Sequence, residues 1–369
     1  MWEQAFQLRP YLRNRLGFGS TTKLKGLKTC ISPELAHIQA QACQVYCLQP
    51  RWLRPSWPKQ QHRRRRWPNR YEQEQLKHHG KTFHFASVFL SNAHHEAASQ
   101  LYGVCRQLDD LADLTTDHAH AISGLTDAHQ ALRRRDANHP LIGAALAIEP
   151  GIDLVALEQL IIGVQSDVGS VRIQTEAELL QYCYQVAGTV GLMMCDVFAV
   201  QDPRARLHAV DLGIAMQLTN IARDVVEDAL NDRRYLPASL VGELAPESIL
   251  EPSPVETERL KDAVHTLLSE AELRYESGFS GLPFLPPRAR LAILVAGLAY
   301  REIGLNLADR NFDLWSGRVY TTGRQKGVIA LRGLVRYLTD REVHRYHGQH
   351  DPELHRGLSP APGVDWVAR

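Results

Sequence analysis

From Tyr71 to about Val343 the apolar residues recur three and four positions apart, the spacing of helices that turn one face toward a core. Leu154 to Val168 and Leu260 to Tyr275 carry the pattern plainly. Proline and glycine interrupt it at Asn138-His139-Pro140, Glu149-Pro150-Gly151, Asp202-Pro203 and Leu282 to Pro287. There a lost N–H and a restricted preceding residue end a helix. No alternating strand of useful length occurs, nor a GxGxxG turn after one. The pattern predicts one all-α domain around a central cavity over residues 71–345, after an extension over 1–70 and before a polar tail over 346–369.

Two of these stretches place polar groups where a core is expected. In Gln217 to Pro237, QLTNIARDVVEDALNDRRYLP, the helical turn puts Asn220, Asp224 and Asp228 at about 300°, 340° and 20° from Gln217. Leu218, Ile221, Val225 and Val226 form an apolar flank. In Leu101 to Asp113, LYGVCRQLDDLAD, residues Arg106, Asp109 and Asp113 share one face with Tyr102. Asp109/Asp113 and Asp224/Asp228 are like-charged i, i+4 pairs, each destabilising an isolated helix by a few tenths of a kcal/mol. One such pair can be a solvated face. Two of them, beside Arg106 and Arg223, predict a cage of oxygens for a hard divalent cation that shares its shell with substrate phosphates, most simply Mg²⁺.

Charge divides the chain unevenly. Residues 1–70 hold 10 Arg and 4 Lys against 2 Glu, a charge of +12. A net +1 then leaves −11 for the remainder. The basic segment, with Arg63 to Arg66 and several prolines, reads as a disordered extension or as translated sequence upstream of the true start. An organelle-targeting peptide, a membrane anchor and a nucleic-acid tail are the functional alternatives. Sparse serine weakens targeting, and the acidic body opposes nucleic acid. Six scattered cysteines without a CxxC suggest reduced thiols and a cytoplasmic setting, with Cys105 and Cys183 as small core residues. No run of 18 apolar residues predicts a membrane span. His94-His95-Glu96 reads as surface, and His344, His347, His350 and His355 as part of a fraying tail rather than a metal site.

The two acidic stretches resemble the paired motifs of the squalene/phytoene synthase family. Lys81-Thr82-Phe83 is similar to the family's K-S-F motif. Glu178 to Met193, ELLQYCYQVAGTVGLM, resembles its mid-chain helix, and Leu298 to Lys326 its C-terminal signature. The likeness runs from about Leu76 to about Tyr337, in order, and QLTNIARDVVED with YCYQVAGTVG leans to the bacterial phytoene branch. It implies an isoprenoid synthase fold and a prenyltransferase.

By that resemblance, Asp109, Asp113, Asp224 and Asp228 hold Mg²⁺ (Mn²⁺ as substitute), with Asp110 and Glu227 secondary. His79, Thr82, Arg106, Gln217, Asn220, Arg223 and Arg318 bind diphosphate, and Tyr182, Tyr300 and Arg106 are catalytic, Tyr300 near the reacting carbons. Arg233, Arg234 and Lys326 are further diphosphate candidates for which a solvated role competes. Phe83, Phe85, Tyr182 and Tyr300 would line the apolar pocket. The implied reaction joins two geranylgeranyl diphosphates head to head, through a cyclopropyl diphosphate, to phytoene. It is the first committed step of carotenoid formation, needs no NADPH, and would allow peripheral membrane association and handover to a phytoene desaturase. The alternatives are a farnesyl diphosphate condenser making squalene, dehydrosqualene or presqualene diphosphate, and a non-catalytic scaffold, which the retained aspartates oppose. Small residues at Ala187, Gly188 and Gly191 predict close helix packing.

Overall fold

Each apolar-periodic stretch becomes a helix, and the breaks fall where proline and glycine stand. In the computed structural model, which describes residues 86–113 and 117–358, the chain runs through α1 (Asn92–Asp113), α2 (His118–Arg134), α3 (Pro140–Leu146) and α4 (Leu154–Ser166). A two-residue strand β1 (Val171–Arg172) leads to α5 (Glu176–Cys183), a π-helical turn (Tyr184–Gly188), α6 (Thr189–Val197) and α7 (Arg204–Leu230). Strand β2 (Arg233–Arg234) precedes α8 (Ala238–Val241), α9 (Pro246–Leu250), α10 (Pro254–Ser280), α11 (Pro287–Asp309) and α12 (Gly323–Thr339). Short 3₁₀ turns cover Leu282–Phe284, Arg341–Val343 and Pro352–His355.

Local chemistry sets the starts. Asp153 accepts hydrogen bonds from the N–H groups of Val155 and Ala156 ahead of α4. Ser253 and Glu256 form a capping box on α10, as do Thr322 and Gln325 on α12. Each satisfies N–H groups that a helix end leaves unpaired, typically contributing about 1 kcal/mol.

The centre is α7, which buries Leu207, Val210, Ile214, Leu218, Ile221 and Val225. It packs most extensively along α10, and also against α6, the π turn, α9 and α11. The contact with α6 and the π turn is backbone on backbone. A Cβ at Gly191 would lie 2.2 Å from the Ala209 carbonyl oxygen, and one at Gly213 would lie 2.4 Å from that of Ala187. The small residues thus serve close packing, as the sequence suggests. Cys183 is fully buried, Cys105 half-buried, and burial pushes the Cys105 thiol up to about 12.

Strands β1 and β2 pair in parallel, Val171 with Arg233 and Arg172 with Arg234, and at two residues each they leave the all-α architecture as expected. Three sequence expectations need correction. Arg234, a diphosphate candidate, is 1% exposed and donates to the carbonyls of Ile173 (3.1 Å) and Leu236 (2.8 Å), so it braces this strand pair. His94 is half-buried, its ring edge-on to Phe198 at 5.3 Å, because α1 turns that side inward. His350 and His355 are not in a fraying tail: both bond Asp211 of α7.

Helix α11 is long and apolar enough to cross a membrane, but half of its apolar window is buried inside the fold. Within it Arg301 donates to Glu272 of α10 at 2.8 Å. It is a core helix.

Candidate active site

The acidic face of α7 forms as the helical spacing requires. Asn220 Nδ2 donates to Gln217 Oε1 at 3.3 Å, one turn along. Arg223 grips the next residue with both arms of its fork, Nε donating to Asp224 Oδ1 at 2.7 Å and Nη2 to Oδ2. From the loop between α11 and α12, Arg318 Nη2 donates to the same Oδ2 at 2.8 Å. That loop is held in place by Trp315, whose Nε1 donates to the Ile249 carbonyl at 2.9 Å, and by Asp313, which accepts from the N–H groups of Trp315 and Ser316. A residue 94 positions away therefore becomes a partner of the α7 aspartate.

Asp228, one turn further, has different surroundings. Burial pushes its carboxyl well above the ordinary range. The charges of Asp224, Asp167 and Glu227 push the same way, and Arg233 offsets them in part. Crowded carboxylates of this kind have the donor chemistry of a hard divalent cation, which would relieve the repulsion. In this respect the residues fit Mg²⁺.

On α1, Arg106 Nη2 lies 2.6 Å from Asp110 Oδ1. Asp109 and Asp110 are half-buried, and their charges reach the Tyr102 hydroxyl, which burial raises and Arg106 lowers. Asp113 is the last residue of the helix. Tyr300 of α11 connects the two faces electrostatically. Burial raises its hydroxyl, with Arg223 and Arg318 opposing, while Tyr102 of α1 and Asp224 of α7 add to the rise. His79, Thr82, Phe83 and Phe85 lie outside the described residues. Lys326 is buried on α12 rather than solvated.

One acidic residue escaped sequence reasoning. Asp167, just after α4, accepts from the Tyr182 hydroxyl at 2.8 Å and the Tyr235 hydroxyl at 2.6 Å. Those two rings stack with centroids 4.9 Å apart. Arg233 Nη2 donates to the Asp167 carbonyl at 2.9 Å, and the β1–β2 pair brings the two ends together. Asp228, Arg233 and Tyr235 also line a recess of about 10 Å³ with Ile221, Val225 and Leu236, which is room for about one water. Asp167 belongs to no helical spacing shared with the other acids.

A bundle whose central helix carries buried carboxylates and arginines beside phenols defines an all-α protein of the isoprenoid synthase fold. Solved structures agree: a dehydrosqualene synthase complex superposes with TM-score 0.62, 25% identity, and coverage of 73% of this chain and 95% of that one. A squalene synthase from Alicyclobacillus acidocaldarius gives 0.56 at 19% identity, over 63% and 90%. Residues 76–325 match the squalene/phytoene synthase model, and the chain belongs to that family of prenyltransferases. Similar curated proteins include a 15-cis-phytoene synthase of Enterobacter agglomerans, 33% identical over 71% of this chain and 93% of its own length. A phytoene synthase of Thermus thermophilus is 34% identical over 69% and 88%.

Proposed function

We propose that the protein is a phytoene synthase, condensing two geranylgeranyl diphosphates head to head. The observation that carries this reading is the meeting of Arg223, Arg318, Asp224 and Tyr300 beside the raised Asp228, within a family whose curated relatives bear that name. Asp109, Asp113, Asp224 and Asp228 would hold Mg²⁺, or Mn²⁺ in its place, with Asp110 and Glu227 supporting them. The ion, when bound, supplies positive charge to the departing diphosphate.

The chain's own groups would do the rest. Arg106, Arg223 and Arg318 present planar forks suited to phosphate oxygens, with Gln217, Asn220, His79 and Thr82 completing the diphosphate contacts. On substrate binding, Arg223 and Arg318 would share their donors between Asp224 and the diphosphate. Loss of the first diphosphate leaves an allylic cation; the double bond of the second chain attacks it, and loss of a proton closes the ring of a cyclopropyl diphosphate. Loss of the second diphosphate permits rearrangement, and release of a proton gives the triene centre of phytoene. Tyr182 and Tyr300 would line this region and keep water from the cation, their raised hydroxyls staying neutral at physiological pH. No hydride donor is needed, because the product forms by proton loss.

The chain would act in the cytoplasm at a membrane surface and pass phytoene to a desaturase, since tails and product are apolar. A feature of α12 supports this: Val328, Leu331, Val335 and Leu338 are all exposed and fall within an arc of roughly 80°. Arg324 and Arg332 lie on or beside that arc, suiting an anionic lipid surface.

The deciding experiment gives purified protein Mg²⁺ and either geranylgeranyl or farnesyl diphosphate, without NADPH, and identifies the extract by mass. A forty-carbon hydrocarbon from the first substrate is expected. A thirty-carbon product or cyclopropyl diphosphate from the second alone would move the chain to the farnesyl-using branch. Inactivity with both, with or without NADPH, would reject the enzymatic reading.

A further inference from the structure

The half of α7 that the proposed reaction does not use buries another carboxyl group. Asp211 is fully buried, and it stands 13 residues before Asp224, roughly 20 Å along the helix and on a different side of it. Each carboxylate oxygen faces an imidazole. His350 Nε2 lies 2.7 Å from Oδ2, and His355 Nε2 lies 2.8 Å from Oδ1. The three ligand atoms lie within 4.8 Å of one another. Both rings come from the C-terminal segment, around the 3₁₀ turn Pro352–His355, and both side chains are about nine-tenths buried.

Around this trio stands a supporting shell. Ser277 Oγ of α10 donates to Asp211 Oδ2 at 2.5 Å. His208 Nδ1 lies 3.0 Å from that hydroxyl, and its Nε2 lies 3.2 Å from the Tyr346 hydroxyl. Arg274 Nη2 donates to the Leu354 carbonyl at 3.0 Å, fixing the backbone next to His355. Two imidazole nitrogens and one carboxylate are the donors that borderline divalent metals prefer, whereas Mg²⁺ prefers an all-oxygen shell.

We propose that Asp211, His350 and His355 form a Zn²⁺ site that ties the C-terminal segment to α7. With bonds of about 2.0–2.1 Å, tetrahedral neighbours stand about 3.3 Å apart. The three ligand atoms, within 4.8 Å of one another, would adjust toward this spacing as the ion enters, one carboxylate oxygen serving as the ligand. Water fills the fourth position. Ser277 and His208 orient the carboxylate from behind, as outer groups do in zinc sites generally. This site does not depend on the proposed reaction, because its ligands lie away from the acidic face.

The test uses the full chain, stripped with chelator and kept in excess Mg²⁺ so that oxygen sites are saturated. Zn²⁺ is added and measured by calorimetry and by metal analysis after gel filtration. One retained Zn²⁺ per chain is expected, with a higher melting temperature and slower tryptic cleavage at Arg345 and Arg356. Co²⁺ in its place should give the intense visible bands of a four- or five-coordinate site. The pair His350→Ala with His355→Ala should lose the ion, while Asp224→Asn should keep it. Absence of retained Zn²⁺ overturns the proposal and leaves a hydrogen-bonded imidazole–carboxylate clamp. So does undiminished binding in the double variant, or loss in Asp224→Asn. Should the double variant fail to fold, His355→Cys replaces it. A thiolate there keeps the metal and adds a sulfur-to-Co²⁺ charge-transfer band, and no such band means His355 is not a ligand.

Discussion

Asp224 and Asp228 stand one turn apart with the same side chain, yet their surroundings give them different energetics. Spacing alone marks both as members of a like-charged pair that destabilises an isolated helix. The structure separates them, because Asp224 is bonded by Arg223 and Arg318, while Asp228 is pushed up by burial and by three other acids. Asp224→Asn should therefore cost the metal-free protein about 1–3 kcal/mol, since two half-buried guanidinium groups lose a charged acceptor. Asp228→Asn should leave the metal-free melting temperature equal or higher. Both should abolish product formation if they hold the cation. Calorimetric scans without divalent ions would check this, and a larger loss in Asp228→Asn than in Asp224→Asn would reverse the assignment. Sequence spacing revealed that the two residues share a face. It could not reveal Arg318, which reaches Asp224 only because the loop before α12 is anchored on Ile249.

At the scale of elements, close approach of α6 and α7 was legible in small residues, but which backbone atoms meet was not. Gly191→Ala places a methyl 2.2 Å from the Ala209 carbonyl oxygen, so the helices must separate. A loss of about 1–3 kcal/mol is expected, read as a lower melting temperature. An unchanged melting temperature would show that α6 can shift freely. Helix α12 makes a different prediction. If its exposed stripe meets lipid, Leu331→Glu with Leu338→Glu should cut co-sedimentation with anionic vesicles several-fold while leaving the melting temperature unaltered, since both side chains are largely solvent-exposed at 59% and 70%. Equal sedimentation of variant and parent would remove α12 from the membrane proposal. Asp167 also belongs to this scale: the β1–β2 pair brings it to Tyr182, Tyr235 and Arg233, and so short a pairing leaves no pattern in sequence.

For the whole molecule, the described residues belong to one compact unit, Pro68–Arg369. Residues 1–70 are proposed to be dispensable. A chain starting at residue 71 should fold and retain its product yield, measured by circular dichroism and by the hydrocarbon assay, and aggregation of the shortened chain would refute that boundary. By itself the sequence determined the helical architecture, because period and punctuation are local and the starts of α2, α3, α4, α5, α10 and α12 carry their own side-chain caps. It also determined the two acidic faces, because a rigid rise and turn convert spacing into direction. The tertiary structure alone decided which charges are compensated, where Arg318 and Asp167 lie, and that His350 and His355 close on Asp211 from 139 and 144 positions away. Those contacts depend on how helices pack across the core, and that packing leaves no periodic trace along the chain.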